Sequence, residues 1–396
     1  MQTATINPIQ QTQRTAIVDI LRGWALLGVV IMNYIEFTRF NTSLTFRPKT
    51  DIWGQVTFNI LGIFFEAKSW TLLSVLFGYG FAVLINNLQS KGYNAVKFFT
   101  KRMFWLFVIA FINSCFFFGD ILKDYAFMGL ILLFFYRSSG KFTLILALII
   151  IFISPVLGPL VRYIHYDFIG GFNKVIPLFH SHKIYEVFIF NLKGTYVRQV
   201  LLPFYAINCH LIIFACMLLG FTAYRFNIFN RLAGLKKYIN RFFWYSLGVS
   251  LLITAISLVS SYFNYWAYTN YYQPYFIGVL STMAFIATSI CWLYVSGKCT
   301  KFFTALQYTG RMTLTNYIVQ NIISMLVFSG AGLGIYDTWH PTLYVGFAVC
   351  VYLIQIFFSR WWLKHYYYGP VEWLWRQLSY GKRLPIKQAR AMQMSV

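Results

Sequence analysis

An all-α, polytopic transmembrane helix bundle of about ten spans is the fold class this sequence predicts, and three observations point there. Of its 396 residues, 59% are hydrophobic and 21% aromatic, and only 11% are charged, where a soluble domain would hold about a quarter charged residues. Apolar runs near the ~20 residues needed to cross a hydrocarbon core recur along the chain. The basic residues behind the formal charge of +23 are scattered in short segments between those runs. That is the pattern of cytoplasmic loops, not of a nucleic-acid-binding face.

Taken in order, the expected spans are 16–36, 68–87, 103–118, 121–136, 142–163, 201–223, 242–262, 275–297, 311–330 and 342–363. A further apolar run at 56–65 reads as a re-entrant or interfacial segment before the second span. The segments SKGYNAVKFFTKR (90–102) and RFNIFNRLAGLKKYINR (225–241) are basic and free of acids, which assigns them to the cytoplasm. With ten spans both termini fall on that side, GKRLPIKQAR (381–390) included, and 164–200 and 263–274 fall outside. The chain then divides into a polar segment 1–15, a transmembrane domain 16–363 and a cytoplasmic tail 364–396. The aromatic, charged YYYGPVEWLWRQL (366–378) in that tail reads as an interfacial helix. The opening MQTATINPIQQT lacks the basic and apolar regions of a signal peptide, so the first helix is expected to stay in the protein.

Polar groups at bilayer depth are costly unless paired or facing a cavity, so they are the functional candidates. In RTAIVDILRGWALLGVVIMNYIE (14–36), Asp19 and Arg22 are three residues apart on one helical face. Asn33 follows on nearly the same stripe, about 16 Å further along the axis. Such a stripe suits a polar cavity crossing much of the membrane; an ion pair that merely positions the helix is the alternative. Glu66 and Lys68 open the second span, where snorkelling interfacial charges are the plainer reading. In FFFGDILKDYAFMGL (116–130), Asp120 falls in a tight connection, as a cap for the next helix or an outward-facing acid. In TGRMTLTNYIVQNIISMLVFSGAGLG (309–334), Thr309 or Gly310 can begin a helix with Arg311 at its mouth, placed to meet a phosphate. Asn316 and Gln320 share one face of that helix, as helix–helix glue or as a pocket lining.

Of six histidines, only His210 lies well within an expected span; it is either a packing residue or an acid–base group. His180 and His182 form an HxH with no third ligand apparent, and the six cysteines form no CxxC pair, so no metal is expected.

The blocks RTAIVDILRGWALLGVVIMNY, KSWTLLSVLFGYGFA, GDILKDYAFMGL, GRMTLTNYIVQ and GPVEWLWRQL occur in order from residue 14 to about 380. They resemble the successive signatures of the bacterial YeiB family of integral membrane proteins, a domain of unknown function. The opening R…D…LRG…N pattern is similar to that of transmembrane acyltransferases, which move an acyl group from cytoplasmic acyl-CoA to an acceptor. That resemblance implies a bacterial inner-membrane protein, with membrane lipids around it and a small molecule or glycan as acceptor. It implies a reaction cavity holding Arg14, Asp19, Arg22 and Asn33, with Arg22 and Arg311 on the CoA phosphates or pantetheine arm; Lys68, Asn316 and Gln320 stand beside these as candidate binding groups by their own positions. Proteins of this type commonly have a His in the phrase F-I-H before the GDIL block. Here the phrase is FIN, and Asn113 stands in its place. An amide orients an acceptor but cannot abstract its proton, which leaves an inactive chain, another base such as Asp120 or His210, or another activity. A carrier or exporter of a small polar or lipidic molecule would use the same cavity without chemistry.

Overall fold

The computed structural model describes residues 15–40, 51–161, 164, 166–262 and 271–388. Regular structure among them is helical, apart from one isolated bridge between Tyr366 and Lys387. The α-helices are α1 (Ala16–Ile35), α2 (Ile52–Phe64), α3 (Lys68–Ser90), α4 (Ala95–Asn113), α5 (Leu122–Leu132), α6 (Gly140–Val161), α7 (Phe168–Asn173) and α8 (Ile176–Phe179). They continue with α9 (Ile184–Tyr196), α10 (His210–Arg225), α11 (Lys236–Tyr262), α12 (Tyr275–Val295), α13 (Thr300–Arg311), α14 (Thr313–Phe328), α15 (Pro341–His365) and α16 (Pro370–Tyr380).

Among the described residues, seven stretches are long and apolar enough to cross a membrane: Ala16–Thr38, Ile52–Ser90, Gly140–Val161, Phe204–Arg225, Leu232–Ser260, Tyr275–Val295 and Pro341–His365. Three of the expected spans correspond to other helices. α4 begins inside the basic segment 90–102, α5 has 11 residues and α14 has 16. The run at 56–65 lies in α2, a separate helix with much of its apolar surface exposed. The helix expected to open at Thr309 or Gly310 is divided instead. Those residues and Arg311 close α13, and the backbone of Met312 (φ −119°, ψ 34°) turns the chain into α14.

α1 is the central helix, mostly buried and packed against α3, α13, α14 and α15. Apolar side chains gain little by leaving lipid for another helix, so close backbone approach supplies the contact energy. At the α1–α13 crossing a Cβ on Gly310 would lie 1.8 Å from the carbonyl oxygen of Asp19. Where α3 crosses α10, a Cβ on Gly220 would lie 1.8 Å from that of Val75.

One end of α1 is closed by aromatic rings. Phe37, Phe40, Phe117, Phe118, Phe179 and Phe328 are all buried and in mutual edge or stacked contact, which adds to their area of burial. α7–α9, from the expected outer loop, pack over them. Gly330 N–H donates to Phe179 O (2.9 Å), Asp337 N–H donates to Phe37 O (2.9 Å), and Arg198 holds Glu36 through two contacts of 3.0 and 3.2 Å. His182 Nδ1 meets Gly330 O at 2.9 Å and His180 stacks on Tyr336 at 4.2 Å. Burial holds the His180 imidazole below its usual range. At the other end, Thr15 Oγ1 donates to Asn230 in the basic segment 225–241. There too the Arg102 guanidinium lies 3.7 Å from the Trp375 ring centre, while Trp375 Nε1 donates to Arg102 O.

Candidate functional site

The inner end of the polar stripe on α1 is an ion pair. Arg22 Nη1 meets Asp19 Oδ1 at 3.0 Å, with Asp19 buried and Arg22 about a third exposed. The other guanidinium nitrogen points at α3, where Gly80 leaves it room. Because Gly310 lies on the backbone of Asp19 and Gly23, the next residue, Arg311, arrives at the same crossing. The structure thus places the Asp19–Arg22 pair and the C-terminal end of α13, which carries Arg311, at one crossing. Arg14 lies outside the described residues. Lys68 stands apart: buried, it donates from Nζ to Gly62 O (2.6 Å) and so satisfies a free carbonyl in the last turn of α2.

Asn33 belongs to a different network. It donates to Asn321 Oδ1 (3.5 Å), Asn321 donates to Asn113 Oδ1 (3.3 Å), and Asn113 donates to Asp120 Oδ1 (2.7 Å). Ser114 Oγ (3.4 Å) and the Leu122 N–H (3.4 Å) complete the shell of the Asp120 carboxylate, and the Tyr317 hydroxyl reaches both Asn321 and Asp120. α4, α14 and the start of α5 therefore converge on one fully buried acid, and α1 joins through Asn321. Asn316 and Gln320 face away from it, toward α15. Asn316 donates to Ser359 Oγ (3.0 Å) and Gln320 to Gln355 Oε1 (2.7 Å), while Gln355 returns a bond to Asn316 O (2.9 Å). These two residues glue α14 to α15 on a different face of α14 from Asn321.

His210 stands where the chain is least regular. Between α9 and α10, Val197–Leu201 and Phe204–Cys209 are wound as π-helix, separated by the extended Leu202 and by Pro203. Proline cannot donate to a carbonyl one turn back, and π-turns of this kind concentrate at functional sites. The widened turn aims two carbonyls, Tyr205 O (3.1 Å) and Ala206 O (3.0 Å), at His210 Nδ1. Both are acceptors, so Nδ1 bears a proton. Nε2 faces Asp124 Oδ1 at 3.4 Å, and the other oxygen of Asp124 accepts from the Tyr205 hydroxyl at 2.9 Å. The Nε2–Asp124 contact is an ion pair whenever the imidazole is protonated.

Gln199, in the first π-segment, joins the two clusters. Its Nε2 donates to Asp120 O (2.8 Å) and lies 3.5 Å from the Tyr205 hydroxyl. Lys123 Nζ donates to the same Asp120 carbonyl. A continuous polar path thus runs from Asn33 through Asn321, Asn113 and Asp120 to Gln199, Tyr205, Asp124 and His210. Asn33, Asn113, Asp120 and His210 were legible in the sequence; Asn321, Gln199, Tyr205 and Asp124 were not singled out. Asp124 lay in view inside the GDILKDY block, one helical turn beyond Asp120. Nothing in the local sequence marks Gln199 or Tyr205, because their positions depend on the π-turns. Among the described residues no group of three His, Cys, Asp or Glu side chains is placed to hold a metal ion.

A groove of about 390 Å³ opens at the Thr15 end of α1, between Ile17, Phe229, Leu232 and Tyr294. It adjoins the basic segment 225–241, one turn from Asp19.

Residues 223–382 match a family model described as a protein of unknown function, DUF418. The chain is 26% identical to the uncharacterized protein YxaH of Bacillus subtilis, over 97% of this chain and 98% of that one. It is 28% identical to an uncharacterized 39.9 kDa protein encoded in the amylase 3' region of Bacillus acidopullulyticus, over 96% and 98%. It is also 24% identical to the uncharacterized protein YeiB of Escherichia coli, over 93% and 96%. No solved structure matches.

Proposed function

We propose, from the premise that the chain belongs to the YeiB/DUF418 family, that it is a membrane-embedded acyltransferase-like protein drawing on a cytoplasmic acyl-CoA donor. The observation that supports this most is the His210–Asp124–Tyr205 cluster, joined to Asp120 through Gln199. Acyl transfer breaks the thioester C–S bond and forms a bond from the acyl carbon to the acceptor. The acceptor loses a proton and the departing thiolate gains one. An imidazole beside a carboxylate can take the acceptor's proton and pass one to sulfur, with Asn113 holding Asp120 in place but taking no proton itself. His210 lies about 22 Å along α10 from Arg225, so a donor seated among the cytoplasmic cations must extend an arm inward. Arg22, Arg311 and the groove beside Thr15 are the donor's inner mouth in this reading.

The accompanying topology has ten crossings: the seven long apolar stretches, together with α4, α5 and α14. Both termini lie in the cytoplasm of a bacterial inner membrane. The Thr15–Asn230 bond and the Arg102–Trp375 stack support it, because they join the N-terminal end of α1 to segment 225–241 and α16 to the start of α4.

Calorimetric titration of acetyl-CoA and longer acyl-CoAs into the protein in nanodiscs tests the donor site. Binding that Arg22→Ala and Arg311→Ala both abolish supports it, and retained binding in both variants sinks it. Acyl release dependent on His210 would then separate chemistry from binding.

A second reading has one specific observation behind it. Both His210 nitrogens already face acceptors, and the backbone is broken beside them, as in carriers that move protons with a solute. Proton-coupled uptake into proteoliposomes without product formation would favour that carrier.

A further inference from the structure

Away from the polar network, α13 and α15 enclose a second groove of about 390 Å³. Its lining includes Lys301, Thr304 and Tyr308 from α13 and Ile356, Phe357 and Arg360 from α15. Lys301 and Arg360 are exposed, and neither has an ion-pair partner among the described residues. No acid is near in sequence: Ser296 to Tyr336 and Pro341 to Val371 contain no Asp or Glu. Two cations thus converge on one groove with two hydroxyls between them and no carboxylate to neutralise them.

Depth adds the second constraint. Arg360 lies about 28 Å along α15 from Pro341, close to the ~30 Å of a hydrocarbon core. With Pro341 at one border of the membrane, Arg360 stands at the other. Trp361, 54% exposed, follows it, as expected of a residue at the headgroup level. On the hydrocarbon side of Arg360 the groove wall is apolar, with Phe357 71% exposed. A soluble anion would have no use for that wall, whereas an acyl chain would lie along it.

We infer that this groove binds the phosphodiester headgroup of an anionic glycerophospholipid, with Lys301 and Arg360 on the phosphate, the Tyr308 hydroxyl donating to its oxygens, and the acyl chains along Ile356 and Phe357. Basic pockets between membrane helices on the cytoplasmic side are suited to such headgroups.

Native mass spectrometry of the full-length protein, titrated in detergent with phosphatidylglycerol or phosphatidylcholine, tests the site. The wild type should retain phosphatidylglycerol in preference, and Lys301→Gln/Arg360→Gln should weaken that retention about thirtyfold, from the loss of two cations near the headgroup. Both side chains are exposed and unpaired, so the variant should melt with the wild type. Lys237→Gln/Arg241→Gln, which removes two cations from the basic segment 225–241, should change retention by less than about threefold. Equal retention of the two lipids, or an unchanged Lys301→Gln/Arg360→Gln variant, would overturn the assignment. So would competition by soluble glycerol phosphate at the lipid's own affinity, which would give the groove to a free phosphate.

Discussion

Asn113 donates from its amide nitrogen to Oδ1 of Asp120 across 2.7 Å, while its own oxygen accepts from Asn321. Both ends of the amide are used, and the side chain is 1% exposed. Asn113 is therefore a positioning group for a buried acid. Asn113→Leu keeps the approximate volume but removes the donor, leaving a buried carboxyl short of a partner at a cost of about 3 kcal/mol. Asn113→His retains an N–H for Asp120 and should cost less. Thermal unfolding in detergent ranks the two; equal Tm values would mean that the contact contributes nothing.

His210 and Asp124 are in direct contact at 3.4 Å, so removing either should cost nearly as much as removing both. His210→Gln and Asp124→Asn should each lower stability, and the double variant should fall within about 0.5 kcal/mol of the worse single one. Additive losses would mean that the 3.4 Å contact is incidental.

Gly310→Ala forces a methyl group onto the Asp19 carbonyl at 1.8 Å, against backbone that cannot turn aside. Overpacking of this kind costs about 1–3 kcal/mol, and this site should lie at the upper end, with α13 pushed away from α1. Gly234, with nothing within 4 Å of a built Cβ, is the matched control. Melting of Gly310→Ala together with Gly234→Ala would refute the close crossing.

Glu372 joins two of the sequence blocks. One oxygen accepts from the N–H groups of Leu314 and Thr315 in the first turn of α14, and the other from the Thr315 hydroxyl, so α16 caps α14 from outside. Burial nonetheless outweighs those donors and holds the carboxyl above its usual range. A raised folded-state pKa means that this group's contribution is fully present below the ordinary glutamate range near 4.3 and is lost as pH rises through the raised value. Melting curves from pH 4 upward should therefore show the wild type losing stability relative to Glu372→Gln. Parallel curves would remove the carboxyl from the account.

Much of the helical framework was legible because membrane helices follow from composition. α1, α6, α12 and α15 run within two residues of the expected boundaries. The division at Met312 was hidden, since Thr309–Phe328 is continuously helix-compatible and only packing on Asp19 ends α13. Asn316 and Gln320 were legible as one polar face, but which helix that face would meet was not. Lys68 looked like a ligand group until α2 supplied a carbonyl for its ammonium.

The sequence by itself determined an all-helical membrane protein, several of its intramembrane polar candidates and a resemblance to one family, because hydropathy, charge placement and short motifs are local. Tertiary structure decided which polar residues share a site. Asn33, Asn113, Asn321 and Asp120 lie on separate elements, and Gln199, Tyr205 and His210 are oriented by two π-turns around Pro203. Buried hydrogen-bonding groups must find partners somewhere, but the partner is fixed only when the helices have packed.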